Sequence, residues 1–246
     1  MEDAPQLRGA VPVEASDYGA YEEVARALRG ADTLFLVSGR ESEDRLSRHL
    51  TAINAAAEAG VDRIVYLSFL GAAPDCQFTL ARQHYATEQH IRDTGLEFTF
   101  LRSSLYADLV PYLAGPDGII RGPAGQGRVS WISRDDVAET VVVVLQTRDH
   151  DGEVFDNTGP AALDLRETAE VLQRVTGRDI TYLEETVDEA WDSRRPSGAP
   201  DWEIEAWISS YLAIAAGEMT QVADTVERLT GRPAIDLETF LRGYVR

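Results

Sequence analysis

The chain has 246 residues, enough to bury a sizeable core, and a net charge of −19 at pH 7. A field of that sign repels phosphate backbones and anionic lipids, so nucleic-acid and membrane-surface roles are not expected. No apolar run approaches the roughly 18 residues that a membrane-spanning helix needs. The acidic start MEDAPQLRGA lacks the basic and apolar regions of a signal peptide. Cys76 is the only cysteine, which rules out an internal disulfide and suits a reducing, cytoplasmic compartment. All 23 basic residues are arginine. With no lysine, a Schiff-base lysine, a Walker A lysine and the Tyr-x-x-x-Lys pair of ordinary short-chain dehydrogenases are excluded.

Along the chain, AVPVEA (10–15) reads as a short strand, followed by a helix over 19–29 that stops at Gly30. The apolar run 33–38 is typical of a strand buried on both faces. Helical periodicity from Glu43 stops at Gly60, and residues 63–68 form a second buried strand. A helix over about 81–94 leads to the strand 98–102. This alternation predicts right-handed βαβ units and an α/β fold with a parallel sheet. The Gly- and Pro-rich stretch 115–128 reads as loop and hairpin. Ser133 caps the helix that follows. A strand over 153–157, a helix over 165–175 and a short strand over 180–183 come next. The remainder, from about Val187, is mainly helical and carries Trp191, Trp202, Trp207 and Tyr211. Residues 1–160 form the expected sheet domain, and 161–246 a helical part that lies as a lid over the ligand edge.

The segments LFLVSG, HLTAINAAAEAGVDRIVYLSFLGA and ARQHYATEQHIRDTGLEFTFLRSSLYADL carry a family resemblance. They are similar to the NmrA-like atypical short-chain dehydrogenases, in the branch of the quinone, triphenylmethane-dye and azo-dye reductases. RLTGRPAIDLETFL near the C-terminus matches the same branch. The resemblance implies a Rossmann-like sheet, NAD(P)H as cofactor and a small-molecule substrate. Members of the family begin with a strand, a Gly-x-x-Gly-x-x-Gly turn, a helix and a second strand. Met1 falls where that second strand would end, so an N-terminally truncated sheet is expected, short by about 40 residues. The absent turn is the usual pyrophosphate cradle, so weak or absent NAD(P)H binding is expected too. Truncation would turn strand 33–38 into an edge, which invites another strand. Two repairs are expected: strand 10–15 moves in to pair beside it, or two chains pair their edges as a homodimer.

The resemblance places Asp17 beside the adenine; on sequence alone, Asp17 equally suits an N-cap. Ser38 and Gly39, like Ser68 and Phe69, close buried strands at their carboxyl ends, the usual ligand edge. The resemblance puts them along the ribose and nicotinamide. His84, Thr87 and Glu88 share one helix face. His84 and Glu88 are the catalytic candidates, although His84 also suits a structural role and Glu88 a role in orienting Arg102. Arg102, Tyr106 and Trp202 are the substrate-binding candidates, with core packing the alternative for the tryptophans. No metal site is expected. The implied chemistry is hydride transfer to an electron-poor conjugated acceptor such as a quinone or azo compound. That reaction requires orientation and water exclusion more than a strong general acid. Two alternatives remain: a cofactor-independent cyclase or isomerase, and a non-catalytic regulator.

Overall fold

The computed structural model describes residues 8–244. In chain order the elements are α1 (Tyr21–Ala27), β1 (Thr33–Val37), α2 (Arg45–Ala59), β2 (Arg63–Phe69), α3 (Thr79–Thr94), β3 (Glu97–Ser103) and α4 (Val110–Leu113). Then follow β4 (Ile119–Gly122), β5 (Arg128–Val129), α5 (Arg134–Gln146), β6 (Val154–Asn157), β7 (Leu163–Asp164), α6 (Leu165–Thr176) and β8 (Thr181–Glu184). The last four are α7 (Val187–Arg194), α8 (Asp201–Ala215), α9 (Thr225–Thr230) and α10 (Leu237–Tyr244). None of these helices is long and apolar enough to cross a membrane.

The main sheet has the order β1-β2-β3-β6, and all its neighbours are parallel. Successive side chains alternate between its faces. Leu36, Ile64, Tyr66 and Phe100 pack with Ile53 and Ile91 on the α2–α3 side. Val65, Leu67, Leu101 and Phe155 pack with Val137, Val141 and Val226 on the α5–α9 side. Covered on both faces, β2 reads as the continuous apolar run that parallel strands require. Helices α2 and α3 end on Gly60 and Gly95, both left-handed. Ser133 Oγ accepts from the Asp136 N–H, and so caps α5 as its sequence predicts.

The sequence expectations need correction in three places. Residues 10–15 form no strand; Val11 and Val13 are 82% and 59% exposed. Pro12 removes a ladder donor from the middle of this segment, and among the described residues no strand lies beside it. The inward repair of the sheet therefore does not occur. Among the described residues β1 pairs with β2 alone and forms the sheet's edge. Helix α1 packs on α2 instead, through Val24, Ala25, Ala52 and Ala55, and the Tyr18 hydroxyl donates to the Val37 carbonyl at the end of the edge strand.

The third correction concerns the Gly-rich stretch 115–128, which is not a hairpin. β4 pairs in parallel with β8, and β5 antiparallel with β7. Its glycines make room for α8. A Cβ on Gly122 would lie 2.3 Å from Tyr211, and one on Gly127 would lie 1.9 Å from the Ile214 carbonyl oxygen. The helical C-terminal part sits over a core in which Trp131, Leu165, Leu172, Ile214 and Leu241 meet Phe78 and Val110.

Candidate active site

A groove runs over the carboxyl ends of β1, β2 and β3, where an open parallel sheet binds its ligands. At one end a hollow of about 340 Å³ is lined by Asp17, Tyr18, Arg40, Arg45 and Arg48. Ser38, Gly39, Arg40 and Arg45 also line a central cleft of about 310 Å³, whose other walls include Ser68, Phe69, His84, Ser103 and Tyr106. Leu105 and Leu109 in turn separate that cleft from an apolar pocket of about 400 Å³, bounded by Trp131, Trp207, Tyr211 and Arg194.

Behind the cleft lies a buried polar network. Arg45, at the start of α2, is 3% exposed, and no carboxylate lies within ion-pairing distance of it among the described residues. Its Nε donates to the Gly39 carbonyl (3.0 Å), its Nη1 to Gln83 Oε1 (3.1 Å) and its Nη2 to His84 Nε2 (2.8 Å). Arginine can only donate, so His84 carries its proton on Nδ1 and donates it to the Tyr66 hydroxyl, 2.8 Å away. His49 has the same tautomer: the Gly39 N–H donates to its Nε2 (2.8 Å), and its Nδ1 donates to Thr87 Oγ1 (3.0 Å). Burial, then the Arg45 charge, lowers His49 to about 4. Burial holds His84 well below the usual imidazole value, with Arg45 and His49 adding to the effect. Burial also pushes the Tyr66 and Tyr106 hydroxyls up.

Glu88 is fully buried beneath this wall. Its Oε1 accepts from Ser68 Oγ (2.6 Å) and Arg102 Nε (2.8 Å), and its Oε2 from Arg102 Nη2 (2.5 Å). This bidentate pair raises the Arg102 guanidinium further above its ordinary value. Because the Ser68 proton points at Glu88, the Ser68 oxygen turns its lone pairs to the cleft. Among the described residues Ser103 Oγ, 1% exposed and in the same wall, meets no hydrogen-bond partner.

The structure thus brings Asp17, Ser38, Gly39, Ser68, Phe69, His84 and Tyr106 onto one groove. Asp17 is not a helix cap; its carboxylate accepts from the Gly19 N–H, while α1 begins at Tyr21. Glu88 and Arg102 lie below the cleft, locked to each other, and not in it. Trp202 does not line the groove; from the same helix, Trp207 and Tyr211 do. Arg45, Tyr66, His49 and Ser103 had no sequence signal. Each is an ordinary residue on a strand or helix, and only the α2–α3 packing makes it part of a network.

A parallel sheet with helices on both faces and a groove along its carboxyl edge defines a dinucleotide-binding α/β protein. Comparison with known proteins makes this definite. Residues 2–148 match the family model described as NAD(P)H-binding. The chain is 30% identical to quinone oxidoreductase 2 of Escherichia coli over 92% of its own length and 80% of that relative's. It is 33% identical to the (4-alkanoyl-5-oxo-2,5-dihydrofuran-3-yl)methyl phosphate reductase of Streptomyces griseus, over 91% and 79% of the two chains. The crystal structure of the Escherichia coli NADPH-dependent quinone oxidoreductase complexed with NADPH aligns with a TM-score of 0.87 at 28% identity, covering 96% of this chain and 84% of that one. The chain belongs to the NAD(P)H-binding family, and its resemblance to the quinone-reductase branch is borne out.

Proposed function

We propose that this protein is an NAD(P)H-dependent oxidoreductase that reduces an electron-poor conjugated acceptor, such as a quinone, azo compound or unsaturated lactone, by hydride transfer. The observation that carries this reading is the row of three adjoining hollows with shared walls, from the arginine-lined one, past Ser103, to an apolar pocket. The cofactor, when bound, supplies the hydride. The residues present fit it. Arg40, Arg45 and Arg48 offer positive charge to phosphates, and Asp17 a carboxylate near the adenine end. Ser38 and Gly39 lie along the ribose. Ser68 as acceptor and Ser103 as donor match the two halves of a carboxamide.

In this reading residues 1–160 carry the cofactor edge, and 161–246 close the substrate pocket against Leu105, Leu109, Leu113 and Trp131. Phe69 and Tyr106 shape the central cleft. His84 is a positioning residue, because both its nitrogens are engaged. Glu88 acts through Ser68 and Arg102. Within the 246 residues given, no Gly-x-x-Gly-x-x-Gly turn is present, and the groups offered to the phosphates are the side chains of Arg40, Arg45 and Arg48. Affinity for NADPH is then weak, on the order of millimolar.

The test follows NADPH absorbance with and without a naphthoquinone, at high NADPH. Quinone-dependent oxidation is expected, and its absence would overturn the reading. His84→Ala and Glu88→Gln should lower turnover at saturating cofactor more than Asp17→Ala, which acts on cofactor binding. Equal loss of turnover in all three variants would show the placement to be wrong. The cyclase or isomerase and the regulator find no separate support in the site.

A further inference from the structure

Beyond Leu105 and Leu109 the groove ends in the 400 Å³ pocket, whose walls are Leu113, Trp131, Leu165, Trp207, Tyr211 and Ile214. Two polar groups in these walls are committed to neighbours. Trp131 Nε1 donates to Thr168 Oγ1 (3.0 Å), and Ser210 Oγ donates to the Trp207 carbonyl (2.7 Å). Among the described residues Arg194, the last residue of α7, is the one charged side chain in this lining. Its Nη1 donates to Glu185 Oε2 (2.8 Å), the Ala190 carbonyl (3.0 Å) and Ser193 Oγ (3.0 Å), and its Nη2 to the Arg121 carbonyl (3.0 Å). Its guanidinium lies 5.2 Å from the centre of the Tyr211 ring. Among the described residues no acceptor meets its Nε–H. The side chain is 14% exposed, and Glu185, 6% exposed, is not among the residues lining the pocket. A ligand entering this apolar slot therefore meets a cation whose counter-ion sits outside the lining.

We propose that this pocket holds the flat, apolar end of the acceptor and that Arg194 selects acceptors whose far end carries an anion: a carboxylate, sulfonate or phosphate. The proposal rests on the oxidoreductase reading and specifies its substrate class. In a low-dielectric wall the guanidinium attracts an anion far more strongly than it would in water, and it repels a cationic acceptor at the same place. Glu185 holds the guanidinium in position and partly offsets its charge. The surface charge of −19 opposes anions at long range, but salt screens that field far more than it screens a buried contact.

The test compares anthraquinone-2-sulfonate with its neutral sulfonamide as acceptors, using kcat/KM with NADPH. The ratio of the two within one variant is independent of how much of the protein is folded. In the wild type the sulfonate should be favoured about tenfold, the scale of one charge-assisted hydrogen bond. Arg194→Gln should bring the ratio near unity, mainly through KM. Glu185→Gln, which leaves the cation uncompensated, should raise it. A wild-type ratio at or below one, or an unchanged ratio in Arg194→Gln, overturns the proposal. If neither compound is reduced, the oxidoreductase reading fails and calorimetric titration of both compounds decides the present one. Sulfonate binding that is preferred and is lost in Arg194→Gln supports the site, and equal binding of both compounds overturns it.

Discussion

Gly39 N–H and Arg45 Nη2 can only donate, so the fold holds His49 and His84 neutral and leaves neither nitrogen of either ring free. Both are depressed below the ordinary imidazole value in the folded chain, so the unfolded chain binds more protons as pH falls. Stability is therefore full above about pH 6.5 and is lost as pH falls toward the folded values. For His49, at about 4 in the fold, the linkage is worth up to about 3 kcal/mol. Denaturant melts between about pH 6.5 and 5, above most carboxylate titrations, should show a steep loss. His49→Asn should flatten that slope, and a flat wild-type profile would show that the rings titrate freely. A sequence reader sees two histidines on two helices. It does not see that one arginine and one backbone N–H fix their protons, because those partners arrive 39 and 10 residues away in the chain.

The legible elements are those whose signals are local. Strands β2 and β3 announce themselves as apolar runs, and α2, α3 and α6 end on Gly60, Gly95 and Gly177 in the left-handed region. Pairing at a distance was not legible. β4 finds β8 some sixty residues on, so a Gly-rich stretch that reads as a hairpin is in truth two strands in two small sheets. Segment 10–15 alternates valine with other residues as a strand does, yet alternation without a neighbour to pair with leaves a coil. The same non-local contacts set the cost of substitution. Gly127→Ala drives a Cβ to 1.9 Å from the Ile214 carbonyl oxygen, where only the backbone of α8 could yield. It should cost about 3 kcal/mol and loosen α8, which carries Trp207 and Tyr211. Gly243→Ala in α10 meets nothing within 4 Å among the described residues and should stabilise by up to about 1 kcal/mol, since alanine loses less entropy in a helix. Thermal melts that shift equally for the two variants would refute this account.

At the scale of the whole molecule, the feature that governs behaviour in solution is the edge of the main sheet. β1 offers one side of Thr33–Val37 to β2 and has no strand on the other side among the described residues. Leu36 is buried, Val37 is 41% exposed, and Tyr18 satisfies only the final carbonyl. A row of unpaired N–H and C=O groups beside apolar side chains is a template for another strand, and no lysine, bulge or proline within β1 blunts it. A strand from the same chain would have the advantage of effective concentration, but segment 10–15 does not take that place. For the 246-residue chain by itself, a second copy offers such a strand, pairing edge to edge across a two-fold axis as an antiparallel junction. The 246-residue chain should therefore self-associate as concentration rises, its net charge of −19 opposing contact at low salt and less so at high salt. Hydrogen exchange identifies the surface involved. The β1 amides that point away from β2 should exchange fast in dilute solution and become protected at high concentration, while the β3 amides stay protected throughout. A single sedimenting monomer at all concentrations, with β1 exchange unchanged, would show that the edge stands alone.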